Sequence, residues 1–396
     1  MTSAQLPIVQ TDSPGSSQSD AGDQFAPSAA HPSPARRLSL ALQGGGSHGA
    51  FTWGVLDALL EDARIELDGI SGASAGAVNA VSLADGFAKA TSKGGQASYA
   101  EGAASARESL RRVWKGVEDL GRIGSMAQGV ARMVTGGWSS DPVGSAVLGD
   151  AMARWMSPYQ SNPLDLNPLR RLLDQEIDFD AVARLDAPRV FVSATQVRTG
   201  RGEIFHGERL TLAAVMASAC LPMLFQAVEI DGESYWDGGY AANPALAPLI
   251  DHCGTRDILL VQLTPLHRDD TPHTPNEIAE RVAEITFNAS LLSQMRNVDF
   301  IHRLLDQGAL IEGPTYKRLR MHRVDGGSPL AALTQASKLS ADPAMMEKLF
   351  DQGRAAAHRW LSKNFDQIGV QSTIDIQRDY VGKVHAPAAR VAGGGG

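Results

Sequence analysis

The chain is poor in cysteine. Cys220 and Cys253 are the only two thiols in 396 residues, too few for a disulfide framework. No apolar run approaches the ~18 residues that a membrane-crossing helix needs. The N-terminus lacks a charged n-region followed by an apolar h-region, so no secretory signal is expected and a cytoplasmic location is. There is no block of Lys and Arg, and the formal net charge is -8. That argues against a nucleic-acid partner and leaves no basic anchor for anionic lipid, although transient membrane contact stays open. Ten histidines and two cysteines show no H-E-x-x-H or C-x-x-C spacing, so neither a metal nor another cofactor is expected. No internal repeat is visible, and oligomeric state has no signature in the sequence.

What the chain does contain divides unevenly. Residues 1–36 are rich in Ser, Pro, Gln, Ala and Asp and nearly free of large apolar side chains. Such a segment cannot bury enough surface to offset its ordering entropy and reads as a disordered tail. Residues 37–310 read as one α/β domain. Within it, residues 86–165 form an irregular insertion, with one amphipathic helix carrying Leu110, Val113, Trp114 and Val117 on a stripe. The insertion reads as packed on the sheet, or as a lid or acyl-chain wall. Residues 311–370 read as a helical extension and 371–396 as a tail.

Two strand–turn–helix units carry the first chemistry. Leu38–Leu42 alternates large and small side chains, as a strand does. Gln43-Gly44-Gly45-Gly46-Ser47-His48-Gly49 follows, then a helical run with Phe51, Val55 and Leu59 on one face. Glycines between a strand and a helix let backbone N–H groups approach an anion. That anion is a phosphate or the oxyanion of an acyl-transfer intermediate. The P-loop lysine is absent, while Gly44-x-Gly46-x-x-Gly49 keeps a dinucleotide loop as an alternative. The second unit is Ile65–Ile70, then Gly72-Ala73-Ser74-Ala75-Gly76, then a helical run at Val78–Ala84. It fits G-x-S-x-G, in which a nucleophilic serine on a sharp turn needs small neighbours and the start of a helix. A plain βα turn is the competing reading.

Further along, Arg189–Thr195 reads as a buried strand, and Leu210–Ser218 as a helix closed by Ala217-Ser218-Ala219-Cys220-Leu221-Pro222. A hairpin across Asp231-Gly232 leads into Trp236-Asp237-Gly238-Gly239-Tyr240, a turn that can present a carboxylate. Asp257–Leu263 reads as a strand. From Thr274, a capping box with proline at the first helical position, the chain reads as helical.

The four motifs stand in a fixed order: Gly44–Gly49, Gly72–Gly76, Ala217–Pro222 and Asp237-Gly238-Gly239. Together they resemble the patatin-like phospholipase family over roughly Leu38 to Leu263. The resemblance implies a three-layer α/β/α fold with a central, mostly parallel sheet and extra C-terminal helices. It implies lipid acyl hydrolysis by a Ser–Asp dyad, with a lipid or acyl ester as substrate. By matching position, Ser74 would be the nucleophile and Asp237 its partner, while Gly44, Gly45 and Gly46 would supply the oxyanion hole. Gly49, Gly72, Gly76, Gly238 and Gly239 would support the turns, and Ser218 and Pro222 match a structural block near the site. One position departs from the pattern: His48 stands where the family has Arg or Lys, so less positive charge is expected beside the anion hole.

The chemistry makes definite demands. A serine hydroxyl needs a base, and an aspartate with a pKa near ~3.9 is a poor one unless burial raises it. A Ser-His-Asp hydrolase is a rival, because His252, His267, His273, His302, His322, His358 and His385 all follow Asp237. A non-catalytic scaffold on a hydrolase fold is a second rival. A hydroxyalkanoate polyester or simple ester is an alternative substrate for the same dyad.

Overall fold

The computed structural model describes residues 36–92, 97–135, 157–333, 335–338 and 340–382. All of the expected N-terminal tail except Arg36 lies outside the described residues, as does the 136–156 part of the insertion. Among the described residues, eight strands form one sheet in the order β5-β6-β3-β2-β1-β7-β8, with β4 paired to β3. They are β1 (Arg36–Leu42), β2 (Ile65–Gly72), β3 (Arg189–Gln196), β4 (Gly202–Phe205), β5 (Val228–Ile230), β6 (Glu233–Asp237), β7 (Asp257–Gln262) and β8 (Arg320–Asp325). The β3-β2-β1-β7-β8 stretch is parallel, while β4, β5 and β6 join antiparallel.

Strand side chains alternate between two cores, as the period of two requires. Leu38, Leu40 and Leu42 of β1, Val190 and Val192 of β3, and Leu259 and Val261 of β7 face one core. That core also takes in α1 (Gly49–Asp62), α2 (Ala75–Ser92), α3 (Tyr99–Thr135) and the Pro343–Asn364 helix. Ala41, Phe191, Ile258 and Leu260 face the other, with Leu291, Met295 and Val298 of the Pro275–Asp306 helix. Strands buried on both faces read as near-continuous apolar runs, which is how β1, β3 and β7 read in the sequence. The architecture is thus an α/β/α sandwich.

Two expectations need correction. Residues 311–370 are not helical throughout, because β8 lies among them and pairs in parallel with β7 from Asp257↔Arg320 to Gln262↔Asp325. Residues 371–382 are no free tail: Thr373 N donates to Met321 O at 3.0 Å, and Tyr380 is buried with its hydroxyl on Gln262 Oε1 at 2.8 Å. Polar side chains hide the packing of β8, since Arg320-Met321-His322-Arg323-Val324-Asp325 carries an ionisable side chain at four of its six positions.

Candidate active site

β1 and β2 run parallel and end side by side, with Leu42 opposite Gly72. The glycine-rich turn leaves β1 and the serine turn leaves β2, so both open at the carboxyl edge of the sheet, where ligands of open α/β sheets bind. Ser74 immediately precedes α2, which starts at Ala75. Its φ is 54°, the left-handed region that non-glycine residues seldom adopt and that functional turns retain. Its backbone N–H donates to Ser218 Oγ at 2.9 Å, so the Leu212–Ser218 helix pins the turn. Gly44 lies against it: a Cβ there would stand 2.8 Å from both Ala73 O and Ser74 Cβ, so only glycine permits this approach of the two turns.

Asp237 reaches the same place from another direction. It ends β6, opposite Ala194 of β3, and β3 is the neighbour of β2. Its N–H donates to Cys220 O at 2.8 Å and its carbonyl accepts the Thr195 hydroxyl at 2.7 Å. Its Oδ1 accepts Gly239 N–H at 2.7 Å. The side chain is fully buried, and Oδ2 has no hydrogen-bond partner. Burial pushes the carboxyl up to about 7, against the downward pull of Gly239 N–H and of the Ser74 hydroxyl. The hydroxyl is thus near enough to act on the carboxylate while Oδ2 lacks an aligned donor. Catalytic hydrogen bonds commonly tighten only when substrate is bound.

The glycine turn corrects one expectation. Gly44 is no free donor, because its N–H is bound to Asn243 Oδ1 at 2.7 Å. Among the described residues, the Gly45 and Gly46 N–H groups make no backbone hydrogen bond. Gln43, fully buried, clamps the turn: its Oε1 accepts Leu263 N at 2.8 Å and Thr264 N at 2.9 Å, and its Nε2 donates to Asn288 Oδ1 at 3.1 Å. His48 is 2% exposed. Burial and then the nearby Lys338 charge lower its pKa to about 4, and Nε2 lies 2.8 Å from Ser337 Oγ. Gly49 packs on Ala75 and Trp114, Gly72 on Gly76, Gly238 on the Ser193 backbone and Gly239 on Phe287. Pro222 lies half-buried just beyond the Leu212–Ser218 helix.

Asn243, Gln43, Ser337 and Lys338 were not singled out from the sequence. Asn243 sits in an Asn-Pro pair that reads as an ordinary turn, and its partner is 199 residues away. No local spacing marks such a contact.

Three of the rival histidines are engaged elsewhere. His322 lies 3.1 Å from Asp257 Oδ1 and 3.1 Å from Thr373 Oγ1, His302 Nε2 accepts Leu319 N–H, and His252 stacks on Phe191. His385 lies outside the described residues. With Gly239 N–H on Oδ1 and no partner on Oδ2, Asp237 pairs with no histidine among the described residues. Among the described residues, no helix is long and apolar enough to cross a membrane. Nor do three or more His, Cys, Asp or Glu side chains among them gather as metal ligands.

No curated protein sequence matches the chain. Among solved structures, VipD from Legionella pneumophila is similar with a TM-score of 0.38 and 15% identity, over 88% of this chain and 73% of that one. The family model described as Patatin-like phospholipase matches residues 40–250, from the middle of β1 to beyond Asp237. That match spans more than half of the 396 residues, and the chain belongs to the patatin-like phospholipase family.

Proposed function

We propose that the protein hydrolyses carboxyl esters of lipids through Ser74 and Asp237, with Gly45 and Gly46 N–H groups receiving the oxyanion. Membership of the family supports lipid acyl hydrolysis in general. The observation that carries the dyad is the buried Asp237 carboxyl, raised to about 7 beside the Ser74 hydroxyl. A base with a pKa near the working pH balances the fraction ionised against its strength.

In this reading Ser74 Oγ attacks the ester carbonyl carbon and its proton passes to Asp237. The carbonyl π electrons move to oxygen, where two preorganised N–H groups receive the charge. Removing one such donor from an oxyanion hole costs about 2.7–4 kcal/mol of transition-state stabilisation. Collapse breaks the bond to the leaving alcohol, which takes the proton from Asp237. Water then attacks the acyl-serine with Asp237 as base, and the proton returns to Ser74 as the acid leaves. The Ser74 turn is held by Ser218 and its neighbour Gly44 by Asn243, so neither has to reorganise during reaction.

The test is incubation of the purified protein and Ser74→Ala with a panel of phospholipids, acylglycerols and hydroxybutyrate oligomers. Release of free acid by the parent, lost in the variant, is expected. The substrate that is turned over identifies the ester class. Equal release by both proteins contradicts the assignment.

A further inference from the structure

The glycine-rich turn has a shortage of charge. Negative charge is to develop at Gly45 and Gly46, yet the one ionisable side chain within the turn, His48, is buried and held neutral near pH 7. The missing cation stands next to it. Lys338 belongs to a short helix, Gln335–Lys338, far outside the matched residues 40–250. This helix grips the turn. Ser337 Oγ meets His48 Nε2, and the Lys338 carbonyl fills the place where a side chain on Gly46 would stand, at a φ of 57°. The Lys338 ammonium bonds to Thr264 Oγ1 at 3.4 Å. Thr264 N–H in turn bonds Gln43, the residue before Gly44.

That ammonium is not neutralised. Among the described residues no carboxylate lies within ion-pair distance of it. Glu284 is near, but Arg268 and Arg281 both pair with it already. Glu280 and Glu284 of the Pro275–Asp306 helix favour the charged form. Arg268, from the segment after β7, opposes it. Burial outweighs these and lowers the lysine to about 8.

We propose that Lys338 supplies from the C-terminal part of the chain the positive charge that the glycine turn lacks, and so stabilises the oxyanion at Gly45 and Gly46. This rests on the ester-hydrolase reading above. Lys338 is a positioning residue: it acts through the field at the turn and takes no part in bond making. A single charge acting across several ångströms of low-dielectric protein changes a rate by about 10- to 100-fold.

The experiment measures kcat and KM against pH for the parent, Lys338→Met and Lys338→Arg, on a neutral p-nitrophenyl ester and on an anionic phospholipid. Thermal melts and fluorophosphonate labelling of Ser74 run in parallel. Parent activity is expected to rise through about pH 7 and fall through about pH 8, as Asp237 loses and Lys338 loses its proton. Lys338→Met should lower kcat on both substrates by about 10- to 100-fold and lose the alkaline fall. Lys338→Arg should stay within about threefold of the parent at neutral pH, with the fall displaced beyond about pH 10. An unchanged rate and alkaline limb in Lys338→Met overturns the proposal. So does a loss shared by both variants with the parent's limb intact, which marks a packing role only. A loss confined to the phospholipid also overturns it, since it marks a headgroup contact. A parent that neither labels at Ser74 nor cleaves any ester overturns the hydrolase reading itself, and this inference with it.

Discussion

Asp237 and Asp257 are both buried aspartates at strand ends, and their surroundings drive them apart. At Asp257 burial pushes the pKa up, but hydrogen bonds from His322 and Arg320 and from Gly369 N–H outweigh it and bring the carboxyl down to about 2. At Asp237 burial meets only Gly239 N–H and the Ser74 hydroxyl, and it prevails, giving about 7. One carboxylate is saturated with donors, while the other keeps Oδ2 open. Thr373, His322 and Asp257 even line up like a hydroxyl-imidazole-carboxylate triad. His322 is fully buried, however, with its ring edge-on to Trp360, so no substrate reaches it. The comparison separates the two roles: full satisfaction makes a buried acid a fastener, and partial satisfaction makes it a base.

Substitutions sharpen the contrast in order of size. Ser74→Ala or Asp237→Asn should lower ester turnover by about 10⁴-fold or more, as removing a member of a catalytic unit does elsewhere, with circular dichroism unchanged. Asp257→Asn should leave turnover per folded molecule near the parent value but cost about 3–5 kcal/mol in denaturant unfolding, because it breaks the buried contact with His322 and leaves the half-buried Arg320 without its carboxylate. With its folded pKa depressed, the stabilisation from Asp257 is present above about pH 4 and is lost as pH falls toward 2. The sign reverses at Asp237. Its raised pKa gives stability that is full below about pH 4 and is lost as pH rises through 7. Asp237→Asn should therefore be more stable than the parent at pH 8, by about 1–3 kcal/mol in the same assay. Of similar size is Ser218→Ala, which leaves Ser74 N–H without its acceptor: a cost of about 1–3 kcal/mol in stability and a drop in kcat rather than a rise in KM are expected.

Much of this was legible because it is local. The strand–turn–helix units around Gly44–Gly49 and Gly72–Gly76 announce themselves through glycine spacing and flanking apolar runs, and Thr274-Pro275 opens a helix. Contacts across long separations were not legible. Ser218 lies 144 residues from the N–H it binds, and nothing near Ser337 or Lys338 hints at the turn they grip. β8 was missed for a different reason. Its His322 is buried, and its Arg320 half-buried, by pairing with Asp257 rather than by being apolar, so the hydrophobic pattern that identifies β1 and β7 is absent. The freedom of Gly44 to donate was misread because a glycine in a turn says nothing of where its N–H goes.

The pH dependence of Ser74 phosphonylation by a fluorophosphonate probe, read by intact-protein mass, tests the Ser74–Asp237 pairing most directly. In the parent the labelling rate should climb through about pH 7 as Asp237 ionises, and in Asp237→Asn it should be slow with that step gone. A parent rate that is flat between about pH 5 and about pH 9, or an Asp237→Asn rate that follows the parent curve, contradicts Asp237 as the base.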